Sequence, residues 1–351
     1  MAEFHIGDRP IGPDEPTFVI AEAGSNHNGD LEIAKDLIDV AADAGADAVK
    51  FQTFRAEDLY VDDRDMVNDS DESTYNLLES LEHPYEWIPE LYEYCKSNGV
   101  QFMSSPFDER SARELAEYVP AFKVASFTLS HHPFLRELAK FGKPIIMSTG
   151  GHDVDEIREA VAVLRENGVD NIVLLHCVSS YPTPLEEINV RAVRSLRDEF
   201  ETQVGLSDHT TEPTIAPAAA TALGGAVVEK HFTLDNEMEG PDHSFALEPD
   251  ELAEMIQQVR GTDRALGTGE LGISSVETGS VSRATRSLFA VRDIAEGEDI
   301  TEDAVRALRP GNLDREGLAP KHMTDIIGAT AINDISEGNP IDVDDVDTQI
   351  P

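Results

Sequence analysis

QVGLSDHT (203–210) and AVVEKHFT (226–233) each climb through an apolar run and stop at a polar cluster, with one helix-sized stretch between them. A strand, a helix and a second strand ending in the same kind of cluster describe two parallel neighbours in one sheet. His209 and His231 close the two runs, 22 residues apart. Six further runs of this kind precede them: TFVIAEAG (17–24), DAVKFQTF (47–54), VQFMSSPF (100–107), AFKVASFT (121–128), KPIIMSTG (143–150) and NIVLLHCVSS (171–180). Their bodies are continuously apolar, as in a sheet covered on both faces. Helical patterns lie between them, such as 30–45, capped by Asp30, and 153–168, which runs from Asp153 to Gly168. A last helix, 251–267, follows the eighth strand. Eight consecutive units predict a (β/α)8 TIM barrel over residues 1–267. A doubly wound open sheet is the rival, but it rarely needs eight units in succession. The stretch FHIGDRPIG (4–12) reads as a hairpin plugging the barrel bottom.

Beyond the barrel, residues 268–285 are rich in Gly, Ser and Thr and read as a linker. The remainder, 286–351, repeats itself. DIAEGEDITEDAV (293–305) and DISEGNPIDVDDV (334–346) match at an offset of 41 (334 − 293). A small β-rich domain with internal pseudo-symmetry is expected there. Its size is marginal for independent stability, so it is expected to dock on another surface.

The charge is extreme: 27 basic against 69 acidic residues, a formal net charge of −42. Nucleic acid and anionic membranes are excluded as partners, since both demand cationic surface. The acids are spread along the whole chain, as in a folded protein whose self-repulsion is screened by a salt-rich cytoplasm. MAEFHIGDRP lacks a basic and an apolar region, so no signal peptide is expected. Two isolated cysteines, Cys95 and Cys177, fit a reducing cytoplasm. Only eight of the basic residues are lysines, and Lys50, Lys123 and Lys230 fall on predicted strands, a poor place for a solvated side chain.

Barrel enzymes carry their sites at the carboxyl ends of the strands. Those ends hold Glu22; Lys50 and Gln52, two apart and so on one face; Ser104 and Ser105; Lys123 and Ser126; Ser148 with Gly150 and Gly151; Ser179 and Tyr181; Ser207, Asp208 and His209; and Glu229, Lys230 and His231. Lysines, hydroxyls and glycine-flanked amides suit a phosphate or carboxylate. Two imidazoles suit Mn²⁺, Zn²⁺ or Fe²⁺ with open positions, although strand-end histidines are equally often just hydrogen-bonded. Glu22 suits a substrate hydroxyl or proton transfer. The plain readings are that Ser148 and Ser207 cap helices, Asp208 orients a histidine, and Glu229 pairs with Lys230.

IAEAGSNHNGD (20–30), VKFQTF (49–54), SSPFD (104–108), HCVSSYPTP (176–184), GLSDHT (205–210), EKHFT (229–233) and GPDH (240–243) together resemble the sialic acid synthase family. RSLFAVRDIAEGEDIT…LRPGN (286–312) is similar to its antifreeze-like SAF domain. The resemblance spans nearly the whole chain. It implies an N-acetylneuraminate synthase type of reaction, in which phosphoenolpyruvate condenses with an N-acylated aminosugar and phosphate is released. N-acetylmannosamine or a close relative would be the acceptor; legionaminic and pseudaminic acid synthases are the alternatives within the family. It also implies a divalent metal, Mn²⁺ or Mg²⁺, on His209 and His231. Lys50, Ser105, Lys123, Ser126, Ser148 and Ser207 would hold phosphoenolpyruvate, Glu22, Gln52, Tyr181 and Asp242 the sugar, and Ser179 would belong to the substrate-binding set. Arg309 would reach the sugar of the other subunit in a domain-swapped homodimer. Thr128 departs from the pattern, standing where the family carries an acid proposed to handle water. Ser179 stands for a frequent Asn and Ser105 for a frequent Thr. A metal-dependent aldolase or isomerase would need no phosphate site, and a non-catalytic sugar-binding protein is favoured by Thr128 alone.

Overall fold

The computed structural model describes residues 3–64, 73–312 and 317–349. The chain forms two compact units, 1–268 and 269–351. In the first, eight parallel strands alternate with helices: β1 (Phe18–Gly24), β2 (Ala48–Thr53), β3 (Gln101–Pro106), β4 (Phe122–Val124), β5 (Ile145–Ser148), β6 (Ile172–Cys177), β7 (Gln203–Asp208) and β8 (Val227–His231). Their hydrogen-bonded order is β3-β2-β1-β8-β7-β6-β5-β4. The two ends of that order, β3 and β4, pack side by side, so the sheet is a nearly closed barrel.

Period two decides which side chains fill it. Phe18, Ile20, Ala48, Met103, Ile146, Val173, Leu175 and Val227 point into the lumen, while Val19, Ala21, Val49, Phe51 and Val228 face the helices. The predicted hairpin forms between Phe4–Ile6 and Arg9–Ile11, and Phe4, Ile6 and Ile11 join the lumen cluster. Each such burial contributes about 1.5–3 kcal/mol. The lower lumen is thus a packed apolar floor, and the upper lumen is left for polar groups. Gly205 lets β7 and β8 approach: a Cβ there would lie 2.0 Å from the Val227 carbonyl oxygen.

Local signals start and stop the helices. Asp30 accepts from the Glu32 amide at 2.8 Å to start Leu31–Ala44, which Gly45 ends at φ 85°. Asp153 and Glu156 form a reciprocal capping box on Val154–Glu166. At the barrel bottom Asp47 gathers three elements. It accepts from the Val19 amide at 2.7 Å and from Arg260 of the last helix at 2.6 Å, and it pairs with Arg9 of the hairpin.

In the second unit, the segment read as a linker contains a short helix, Thr278–Ala284. Beyond it, β9 (Ser287–Ala290) and β10 (Val305–Leu308) pair antiparallel. The repeat is visible as reciprocal contacts. Glu296 N–H donates to Asp334 and Glu337 N–H to Asp293, each at 2.8 Å, across an Ile294–Ile335 bridge. Ile294, Ile300, Ile335 and Ile341 fill its core from matched positions.

Candidate active site

Above the apolar floor, the lumen positions of the strands become polar. Glu22 sits beside Lys50 and His231 in register, Gln52 beside Ser105, and Glu229 beside Ser207. Lys50 Nζ lies 2.7 Å from Glu22 Oε2, 3.7 Å from Glu229 Oε2 and 3.1 Å from the Ser105 hydroxyl. Lys123 Nζ lies 3.4 Å from Glu229 Oε1 and donates to Ser148 Oγ at 2.8 Å. Ser207 donates to Glu229 at 3.0 Å, and Gln52 to Glu22 at 3.0 Å. Two carboxylates and two ammonium groups therefore form one buried, neutral chain.

Its members are tuned apart. Burial raises the Glu22 carboxyl against the pull of Lys50. For Glu229, burial is overcome by Lys123 and Lys50, which hold it below its ordinary value. Burial also opposes the charge on Lys50, yet Glu22 and Glu229 leave it raised, whereas burial lowers Lys123 despite Glu229. Glu229 Oε2 is buried without a hydrogen bond. Such a cluster is held together by mutual attraction and has charge-assisted donors ready for an anion.

One layer higher, the His209 and His231 rings face each other with centroids 5.4 Å apart, and the Tyr181 ring lies 4.1 Å from that of His209. Both histidines are buried, 4% and 7% exposed, and roof the lumen. His209 Nδ1 bonds the Val178 carbonyl at 2.9 Å, which leaves Nε2 with its lone pair. Burial lowers His209, while Cys177 and the Val178 carbonyl raise it, with a net upward direction. His231 is pushed well down by burial and by His209, and its Nδ1 is buried without a hydrogen bond, 3.7 Å from Asp242 Oδ2. Burial raises Asp242. Two imidazole nitrogens free of hydrogen bonds fit a divalent cation. No group of three or more His, Cys, Asp or Glu residues suited to a metal exists among the described residues, so water or substrate would complete the shell.

Beside the histidines, Gly150 backs onto three polar tips. A Cβ there would lie 2.3 Å from Ser179 Oγ and 3.0 Å from both Cys177 Sγ and Ser126 Oγ. The Gly150 amide donates to Ser126 at 3.1 Å. Glu22, Lys50, Gln52, Ser105, Lys123, Ser126, Ser148, Ser179, Tyr181, Ser207, His209, His231 and Asp242 are thus gathered at one end of one barrel. Arg309 belongs to the second unit, where it is exposed on the loop after β10.

Three sequence readings change. Lys230 faces the helices and pairs with Asp208, with the Thr210 and Glu212 carbonyls at 2.7 and 3.0 Å, so it is structural and Asp208 serves it rather than a histidine. Glu229, expected to pair with Lys230, points the other way into the lumen. Ser126 and Thr128 lie on a 3-10 turn, because β4 stops at Val124. Cys177 was not legible as a site residue; the one available signal was its place on a lumen-facing strand end.

The NeuB family model matches residues 37–271, and the SAF domain model matches 285–347. A protein of Methanocaldococcus jannaschii, named as uncharacterized, is 43% identical over 347 residues, 99% of each chain. An N,N'-diacetyllegionaminic acid synthase of Campylobacter jejuni is 40% identical over 330 residues, 92% of this chain and 97% of the relative. The crystal structure of an N-acetylneuraminic acid synthetase from Leptospira borgpetersenii, in complex with citrate, superposes with a TM-score of 0.72 at 32% identity, covering 80% of this chain and 95% of that one. Barrel and appended domain agree with these matches: the chain belongs to the NeuB family and carries a SAF domain.

Proposed function

We propose that the chain is a phosphoenolpyruvate-dependent synthase that condenses phosphoenolpyruvate with an N-acylated aminosugar to give a nonulosonic acid and phosphate. The observation carrying this reading is the pair of buried lysines, each tied to a serine hydroxyl, at the same strand ends as two neighbouring histidine rings. Lys50 and Lys123 bind the phosphoenolpyruvate anion, exchanging part of their contact with Glu22 and Glu229 for it. Ser105, Ser126, Ser148, Ser179 and Ser207 supply hydroxyls, and Gln52, Tyr181 and Asp242 hold the sugar. His209 and His231 would hold Mn²⁺ or Mg²⁺, which when bound supplies Lewis acidity toward the sugar aldehyde.

In the reaction the C3 carbon of phosphoenolpyruvate forms a bond to the aldehyde carbon, whose oxygen takes up a proton. Water adds its oxygen to C2, and the bond from C2 to the phosphate oxygen breaks, releasing inorganic phosphate. Thr128 offers no carboxylate, so the water's proton goes to one of the acids the lumen presents: Glu22, Glu229 or Asp242. The test is phosphate release with phosphoenolpyruvate, Mn²⁺ and a panel of acceptors, N-acetylmannosamine and diacetamido sugars among them, repeated with EDTA. Acceptor-dependent release abolished by EDTA is expected, and product mass identifies the sugar. No release with any acylated aminosugar refutes the proposal.

A further inference from the structure

The strand-end loop after β6 contains one fully buried side chain that the reaction does not use, Thr183. Its amide donates to the His209 carbonyl at 2.8 Å. Its hydroxyl reaches the Ser180 carbonyl at 2.8 Å and the Val178 carbonyl at 3.1 Å. The Val178 carbonyl is also the acceptor for His209 Nδ1, at 2.9 Å. Thr183 therefore grips the main chain of His209 with its amide, and the single proton of its hydroxyl is shared between the Ser180 carbonyl and the Val178 carbonyl, the oxygen on which the His209 ring is hung. The turn so closed, 178–183, also brings the Tyr181 ring to 4.1 Å from His209.

We infer that Thr183 is a positioning residue: its hydroxyl holds the Val178 carbonyl so that His209 presents an unprotonated Nε2 to a divalent cation. A ligand histidine depends on its outer partner, here the Val178 carbonyl, and loss of such a partner costs about 10- to 100-fold in metal affinity; Thr183 acts one step further out, by holding that carbonyl. The inference rests on the metal reading above, and the experiment separates the two. Mn²⁺ uptake is measured by calorimetry and by the electron paramagnetic resonance signal of free Mn²⁺, in the full-length protein without substrate. Thr183→Val keeps the shape and the amide but removes the hydroxyl. It is expected to weaken Mn²⁺ binding severalfold, up to about the tenfold that loss of a direct outer partner costs, while the circular dichroism spectrum stays as in wild type. Thr183→Ser, which restores the hydroxyl, is expected to return affinity to within a few-fold of wild type. Should Thr183→Val not fold, Thr183→Ala removes the same group with no methyl to clash. Wild-type Mn²⁺ uptake with unchanged affinity in the hydroxyl-free variant overturns the role of Thr183 alone. A wild-type protein that takes up no Mn²⁺ overturns the metal reading and this inference together.

Discussion

Glu229, Lys230 and His231 are consecutive, yet the pleat sends the first and third into the lumen and the second toward the helices. That alternation predicts different fates for substitutions that look alike. His209→Ala and His231→Ala each remove a roof group rather than a packed core group. A kcat loss of roughly 10³-fold, the several kcal/mol of aldehyde polarisation, is expected with an unchanged far-ultraviolet spectrum. Normal turnover from either variant removes metal activation from the account. Two glycines give a sharper contrast. At Gly205 an added methyl meets the backbone of β8 at 2.0 Å, which cannot yield; Gly205→Ala is expected to cost about 3 kcal/mol or more of unfolding free energy. At Gly150 the methyl meets only side-chain tips. Gly150→Ala is expected to fold but raise the KM for phosphoenolpyruvate about tenfold, the equivalent of 1.4 kcal/mol. Denaturant midpoints and steady-state kinetics on both variants check the pair. The site was legible as a set of polar strand ends, because one residue type per end is enough to see it. Partner choice was not, since Glu229 and Lys230 side by side in sequence look like a pair until the pleat separates them.

The strands and helices were legible because their signals are local: continuous apolar runs, Asp caps and αL glycines. What escaped were places where tertiary packing overrides them, such as the turn at Ser126 or the helix at Thr278–Ala284. The loop at 55–85 carried no motif, and residues 65–72 of it lie outside the described residues. The segment leading from it supplies an unexpected element-scale contact. His27, in the loop capping the first helix, is fully buried against Phe51, His83 and Trp87, with its Nε2 unpartnered. Burial, then His83, pushes its pKa down to about 3; burial lowers His83 as well. The folded pKa lies below the unfolded one, so between about pH 6.5 and 3 the unfolded chain binds the extra proton. Stability therefore falls as the pH drops through that window, and is unaffected by these rings above it. Relative to wild type, His27→Leu is expected to shrink the stability difference between pH 7 and pH 5 by about 2 kcal/mol, one and a half pH units of a single proton. Guanidinium midpoints at the two pH values check this; an identical pH slope in both proteins contradicts it.

At the scale of the whole molecule the charge is partitioned. Among the described residues the buried Asp, Glu and Lys side chains are Glu22, Glu229 and Asp208 against Lys50, Lys123 and Lys230, three against three. Buried acids and lysines match in number among the described residues, so there the excess of acid over base lies at exposed and half-buried positions. Three of the eight lysines are committed to the interior, and exposed lysine is confined to Lys96, Lys140 and Lys321. Self-repulsion of this kind destabilises a compact state and is screened once the Debye length falls from about 30 Å at 0.01 M salt to about 3 Å at 1 M. The buried cluster is screened far less, so salt acts on the fold rather than on the site. The same reasoning applies to a second copy: two chains of this charge associate only if salt screens them. The resemblance implies a swapped homodimer in which Arg309 would reach the sugar of the other subunit, and a substitution tests it. Arg309→Ala is therefore expected to raise the KM of the sugar severalfold more than that of phosphoenolpyruvate, and equal effects on both contradict that assignment. Melting temperature and sedimentation mass in a KCl series test the charge argument directly. Both are expected to rise from 0.01 M toward 1 M, on the order of ten degrees for the melt if screening relieves a few kcal/mol. A midpoint and a mass that stay constant down to the lowest salt would show that the surface charge neither opposes folding nor opposes pairing, and the salt-rich setting would lose its support.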